Sequence, residues 1–357
     1  MATPAERGVV KPILSDLMDD PGSGLDYETR PDRLPGLLTP LDRFFIRNHA
    51  PTPMIDVLSW RLRIDGDGVR APVTYTYRDL WDLPLTSVVR TIECAGNRRS
   101  LFGRASGRTF EGTQWGRGAI GTAEWTGVRL RDVLSPAGIG PNARQVMPEG
   151  LDGPGRRPMP LAKALADDTL LVLAMNGEVL LPDHGYPARV LVSGWLGAAS
   201  VKWVGRIQVS DKDLSVPWNT DDYVLIGPGY PPTGESAGVP INEIPVASLV
   251  ELPWPARLRP GRQVIRGRAY AGEARIHQVT CRVDDGPWQH AVLLPPVEQA
   301  TWVRWQFGWN AVPGEHELRV RATDDRGGTQ PDAVPWNDLG YLYNAVLAHP
   351  IHVDDPA

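Results

Sequence analysis

The ten residues Thr91–Ser100, TIECAGNRRS, decide how the rest of the chain is read. One of only two cysteines in 357 residues stands there, directly before Ala95 and Gly96, with Arg98 and Arg99 close behind. An isolated cysteine is most often a small buried hydrophobe. The flanks argue otherwise. Guanidinium groups favour the thiolate, and such surroundings lower a cysteine pKa into a range of about 3.5–7.5. Two small residues leave room for something bulky to reach the sulfur. Three thiolate chemistries compete. A phosphate-cradling nucleophile needs an arginine at the sixth position after the cysteine, where this chain has Ser100. A Cys–His nucleophile needs a base brought in by the fold, and no local pattern selects one of the seven histidines. A metal site of the zinc type needs several Cys or His at short spacing. A lone thiolate holds a metal only if a cofactor supplies the other soft ligands.

Working outward, residues 1–40 are Pro-rich and irregular, and residues 41–240 mix short strands with short helices. RLRIDG and PVTYTY alternate as strands, and ARVLVSGWLG and VKWVGRIQVS read as buried strands. TYRDLWDLP and MPLAKALAD read as short helices. GVRLRDVLSPAGIG places Leu130, Val133 and Leu134 at helical spacing, with Gly138 as a stop. The interleaving has no regular βαβ rhythm, so the class is α+β. The Gly/Pro-rich stretch GPGYPPTGESAGVPINEIP marks a boundary, giving expected domains 1–245 and 246–357. Beyond it IHQVTCRV, TWVRWQFGW and HELRVRATD alternate, separated by turns such as DDGPW, as in an immunoglobulin-like sandwich.

Composition narrows the function. A net charge of -5 argues against a general nucleic-acid binder. No window approaches the roughly 18 apolar residues of a membrane helix. The first twenty residues show neither an apolar signal core nor an arginine pair, so the expected location is the cytoplasm, with Cys94 and Cys281 as thiols.

The block ECAGNRRS resembles the one carrying the molybdenum-binding cysteine in the sulfite oxidase family of molybdopterin enzymes, which includes eukaryotic nitrate reductases. LTPLDRFFIRNHAPTP, GTAEWTGVRLRDVL, MNGEVLLPDHGYPARVLVSGWLGAASVKWVGRI and ATDDRGGTQPDAVPWNDLGYLYN are similar to further family blocks, in the family's order and over most of the chain. The resemblance implies a molybdopterin-binding domain followed by a dimerising sandwich. It implies Cys94 as the metal ligand, with the cofactor contacted by Phe45, Ile46, Arg47, Asn48, His49, Asp152, His184, Arg189, Ser200, Val201 and Lys202. Arg47, Arg99, Trp115 and Tyr223 would line the pocket of a small anionic substrate. The implied reaction is oxygen-atom transfer, most naturally from sulfite to sulfate, with reduction of nitrate or an S-oxide as the alternative. A binding protein on a relic scaffold is the non-enzymatic alternative.

Two further expectations follow from the resemblance. No haem or flavin domain is visible, so electrons would leave to a separate acceptor, a cytochrome or oxygen. A pocket arginine of the family near the C-terminus aligns by eye with Pro350, after His349, and no arginine follows Arg326. The pocket is then expected to be less cationic than usual, with protonated His349 as the candidate substitute.

Overall fold

The structure is a computed structural model and describes residues 8–355. The first seven residues of the expected N-terminal extension and the last two of the C-terminal domain lie outside the described residues. The extension is irregular except for a short ladder, β1 (Met18–Asp19) with β2 (Glu28–Thr29), and one 3-10 turn at Pro31–Arg33.

Two five-stranded sheets follow. One has the order β4-β3-β12-β7-β8, with β3 (Leu62–Asp65), β4 (Val73–Tyr75), β7 (Gln145–Gly150), β8 (Met159–Pro160) and β12 (Val204–Ser210). Its β3–β12 pairing is parallel. The other is antiparallel and holds β5 (Leu85–Glu93), β6 (Ile120–Arg129), β9 (Leu170–Met175), β10 (Glu178–Val179) and β11 (Arg189–Leu191). Leu62, Ile64, Val128, Val133, Leu171, Val190 and Ile207 form a shared core with no exposed surface. Burial of such side chains stabilises by roughly 1.5–3 kcal/mol each.

Helices are short, as the glycine and proline content dictates. The expected ones are α1 (Tyr77–Trp81), α3 (Leu130–Leu134) and α4 (Leu161–Ala164). Thr76 and Asp79 make a capping box on α1. The turn after α3 stops at Gly138, whose φ of 67° suits glycine. Pattern reading passed over β5, β6 and α2 (Arg99–Ser106), the elements that flank the cysteine. Helix α5 (Pro217–Thr220) and the ladder β13 (Val224–Leu225) with β14 (Val239–Pro240) bracket Tyr223.

The C-terminal region is the expected all-β sandwich. One sheet runs β15-β17-β21-β20, with β15 (Ala247–Val250), β17 (Gly261–Tyr270), β20 (Val292–Leu294) and β21 (Val303–Ala311). The other runs β16-β23-β22-β18-β19, with β16 (Ala256–Leu258), β18 (Ile276–Val283), β19 (Gln289–His290), β22 (Gly314–Asp324) and β23 (Ala348–Val353). In β18 the register shifts between Ile276 and Gln278, so Ile276 and Val279 both face the core although three positions apart. Cys281 packs in that core as a free thiol, and burial pushes its pKa up to about 12. No helix among the described residues is long and apolar enough to cross a membrane.

Candidate active site

Cys94 follows the last residue of β5 and is held by backbone bonds on both sides. Its N–H donates to the Ala119 carbonyl at 2.9 Å, and its carbonyl accepts from Asn97 at 3.0 Å. Asn97 ties the turn down, accepting from Ala119 N and donating to Glu93. Gly96 is required by space: a Cβ there would lie 3.0 Å from the Arg99 guanidinium and 3.2 Å from Trp115. Arg98 adopts a left-handed φ of 70°, which a side chain disfavours, and its guanidinium compensates. It donates to the carbonyls of Tyr343 and Ser248 and to the Tyr270 hydroxyl, which in turn donates to Glu93.

The two arginines of the motif therefore point different ways. Arg98 is buried in the seam with the sandwich, while Arg99 folds back over Gly96. Arg99 donates from Nε to Leu339 O and from Nη1 to Thr113 O, and its Nη2 has no hydrogen-bond partner among the described residues. Sequence reading expected a depressed Cys94 pKa. Here burial raises it and outweighs the opposing charges of Arg47 and Arg99. The sulfur is accessible only from within a cleft. A bound cation would replace the proton outright.

That cleft is open to solvent and has about 700 Å³ of space free of protein atoms, open solvent included. It is lined by Cys94 and, of the residues expected to contact the cofactor, by Phe45, Arg47, His49, Asp152, His184, Arg189, Ser200, Val201 and Lys202, with Tyr223 from the expected substrate pocket. Ile46 and Asn48 do not line it. Ile46 is a buried backbone partner of Tyr27, and Asn48 holds its neighbours, accepting from Lys202 and donating to Thr52. Arg99 and Trp115 sit behind the cysteine turn rather than on the wall of the cleft, Trp115 edge-on to Phe45. Sequence reading missed Phe44, Asp183, Trp203 and Trp218, which also line the cleft. Only Trp203 carries a local mark, a φ of 53° that a bulky residue rarely adopts.

The cleft has two ends. At one, Arg47 reaches across Asp26 of the N-terminal segment. Asp26 also accepts from Asn48 N and the Thr113 hydroxyl. Burial works against the Arg47 charge, but Tyr223, Asp26 and Cys94 outweigh it and push its pKa above the ordinary value. Tyr223 and His49 share a 2.8 Å hydrogen bond. Burial, then Arg47 and Lys202, pushes His49 down to about 3, so it is neutral. Burial likewise raises Tyr223.

At the other end lie Arg189, Lys202 and His184. Arg189 donates to the carbonyls of His184 and Ser200, and its buried Nε has no partner among the described residues. Burial brings Arg189 down to about 9. Burial and the Arg189 charge bring Lys202 down to about 7. His184 is held well below its usual value by burial and by Lys11, Lys202 and Arg189. Asp183, the nearby carboxylate, is spoken for by Val10 N, Lys11 N and Thr52. This end is a cationic socket without a bonded carboxylate, the donor set that an anionic group with several oxygens fits. Among the described residues no group of three or more His, Cys, Asp or Glu is placed to hold a metal ion. A metal at Cys94 fits only with ligands from a cofactor.

Residues 49–218 match the family "Oxidoreductase molybdopterin binding domain", and residues 239–354 match "Mo-co oxidoreductase dimerisation domain". The chain is 38% identical to sulfite oxidase of Gallus gallus over 332 residues, covering 86% of this chain and 72% of that protein.

The chain belongs to the sulfite oxidase family of molybdopterin-dependent oxidoreductases.

Nitrate reductase [NADH] of Ulva prolifera is 31% identical over 359 residues, 90% of this chain and 41% of that protein. The chain spans 61% of human mitochondrial sulfite oxidase. The sulfane dehydrogenase SoxCD from Paracoccus pantotrophus superposes with a TM-score of 0.82 at 28% identity, covering all of this chain and 93% of that one. For a member of this family the Pro350 alignment needs correcting. Pro350 lies in β23 opposite Glu317, within the sandwich, and does not line the cleft. His349 donates to Pro253 O and packs on Trp254; burial and then Arg117 push it down to about 3, so it is no substitute cation. The C-terminal segment that does reach the cysteine turn is 338–342, through Leu339 O on Arg99 and Leu342 N on Ala95 O.

Proposed function

We propose that the protein oxidises sulfite, or a related small sulfur compound, at a molybdenum centre held by Cys94. The observation that carries this reading is the cleft itself: a lone thiol at one end, and buried cations without a bonded carboxylate at the other. In this reading Arg189, Lys202 and His184 hold the anionic tail of the pterin, with Phe45, His49, Asp152, Ser200 and Val201 along its length. When bound, the cofactor supplies oxygen-atom transfer and takes up the two electrons. The chain's own residues bind and orient the anion. Arg47 presents guanidinium donors and is fixed beforehand by Asp26, so little reorganisation accompanies binding, while Arg99 adds positive charge from behind the cysteine turn. The Tyr223 hydroxyl, bonded to neutral His49, holds a proton close to the anion. Phe44, Phe45 and Trp218 restrict water. Trp115 acts from behind, backing Gly96 and Phe45.

A separate one-electron carrier such as a cytochrome, or oxygen, would accept the electrons. The sandwich, matched as a dimerisation domain, would pair two copies in the cytoplasm. The test is protein purified from a host that makes the cofactor. The expected result is about one molybdenum per chain and sulfite-dependent reduction of cytochrome c or ferricyanide. Molybdenum-loaded protein that reduces nitrate with viologen but leaves sulfite untouched would overturn the sulfite reading and favour the reverse chemistry.

A further inference from the structure

The Cys94 end of the cleft is backed by a side chain that neither spacing nor resemblance singled out. Tyr341 lies in the segment that reaches the cysteine turn. Its backbone is clamped on both sides by Asn337, which donates to Tyr341 O at 3.0 Å and accepts from Tyr341 N at 2.9 Å. The next residue, Leu342, donates to Ala95 O. The Tyr341 ring stacks on Tyr223, centroids 5.7 Å apart and planes 15° from parallel. The Arg99 guanidinium lies 5.0 Å from the same ring. Phe102 on Tyr343 and Phe110 on Trp336 stack on either side in sequence and anchor the whole segment to the region of α2. The ring is fixed, therefore, by two aromatic and cationic faces and three backbone bonds. Its hydroxyl has no hydrogen-bond partner among the described residues, although the charged groups acting on it include Arg99, Cys94 and Arg47. Tyr341 does not line the cleft itself, but it stacks on Tyr223, which does, and its half-buried ring carries a hydroxyl donor free for an acceptor.

We propose that Tyr341 is a specificity-determining residue, whose hydroxyl donates to one oxygen of the bound sulfur oxyanion while Arg47 and Arg99 hold its charge. This rests on the sulfite reading of the site. Arg47 and Arg99 attract the anion, with Asp26 cancelling one of their two charges. A neutral third donor adds no charge but favours an acceptor at a fixed corner, so an anion lacking an oxygen there forgoes that hydrogen bond. Discrimination then comes from shape rather than from a third cation.

The experiment compares Tyr341→Phe with the wild type as holoenzymes of equal molybdenum and pterin content. Phenylalanine keeps the stack on Tyr223 and removes only the hydroxyl. The sulfite KM and the inhibition constant of sodium sulfate are expected to rise together by about tenfold, with kcat within twofold. Sulfate is also titrated directly by calorimetry and by thermal shift, so the readout does not depend on turnover. Unchanged sulfate affinity in Tyr341→Phe overturns the proposal, whether or not kcat falls. A wild type that binds no sulfate overturns it as well. A wild type that fails to oxidise sulfite but binds sulfate about tenfold more tightly than Tyr341→Phe sinks the sulfite reading and leaves the role of Tyr341 standing.

Discussion

The two ends of the cleft are both cationic, yet they are built in opposite ways. At the Cys94 end Arg47 has a carboxylate partner, Asp26, and Arg99 is tied to two carbonyls, so each is held in place with part of its guanidinium to spare. At the other end Arg189 and Lys202 are bonded only to neutral groups, and burial lowers both of their pKa values. The first end is preorganised and is little strained without a ligand. The second stores an electrostatic cost that an incoming anion relieves. A site that must exchange substrate at every turnover suits the first design, and one that takes up a cofactor once suits the second.

The strongest way to break this comparison is Cys94→Ser. A hard, poorly ionised oxygen replaces the soft sulfur. Activity should vanish while the fold and much of the pterin remain, because Arg189, Lys202 and His184 are left in place. Full turnover, or loss of pterin in step with activity, would refute the division of labour. Next in size are Arg47→Gln and Arg99→Gln. Losing a charge-assisted hydrogen bond costs roughly 1.5–3 kcal/mol, about 10- to 150-fold, and it should appear in KM for the anion more than in pterin content.

Lys202→Met sharpens the contrast from the other side. Cofactor content should fall, yet the cofactor-free protein should gain about 2 kcal/mol at neutral pH, because a buried ammonium bonded only to neutral groups is removed. The pH dependence has a definite sign. Lys202 titrates at about 7 in the folded chain and near 10.4 when unfolded. Between these values the unfolded state binds more protons, so stability of the cofactor-free wild type rises with pH. The variant should keep the part of that slope due to buried Lys11, also lowered to about 7, and, in the upper part of the range, the part due to Arg189, lowered to about 9. Denaturant melts between pH 7 and 9.5 would measure it. The smallest expected effect is Thr113→Val, which removes one hydrogen bond to Asp26 and loosens Arg47 indirectly. A two- to tenfold rise in KM, about 0.5–1.5 kcal/mol, is expected with pterin content unchanged.

Sequence served the two halves of the chain unequally. The sandwich announces itself because one face of each strand is wet, so polarity alternates along β18, β21 and β22. Strands β5 and β6 hide because contacts on both faces blur the period; Arg90, for one, is spent on Asp168 and Ser193. In the site, Cys94 and the cations downstream of Asp152 were legible as local blocks. Asp26, Glu28 and Lys11 were not, since their partners lie far along the chain: Arg47, the amides of Gly116 and Gly118, and His184. Nor could spacing tell that Arg98 and Arg99, adjacent in sequence, serve different masters. Pro350 misled because strand β23 continues past the segment that actually approaches the pocket.

Arg98 has a consequence for the order in which the enzyme is made. Its acceptors at Ser248, Tyr270 and Tyr343 lie 150, 172 and 245 residues downstream. While the chain is still being synthesised, the turn that carries Cys94 has a charged side chain and a disfavoured backbone angle at Arg98 and lacks the contacts that offset them. Bonds to Ala119 and Asn97 hold the Cys94 turn locally, and the contacts of Arg98 complete it only once Tyr343 is made. The cysteine turn is therefore finished late, by contacts from the C-terminal half of the chain.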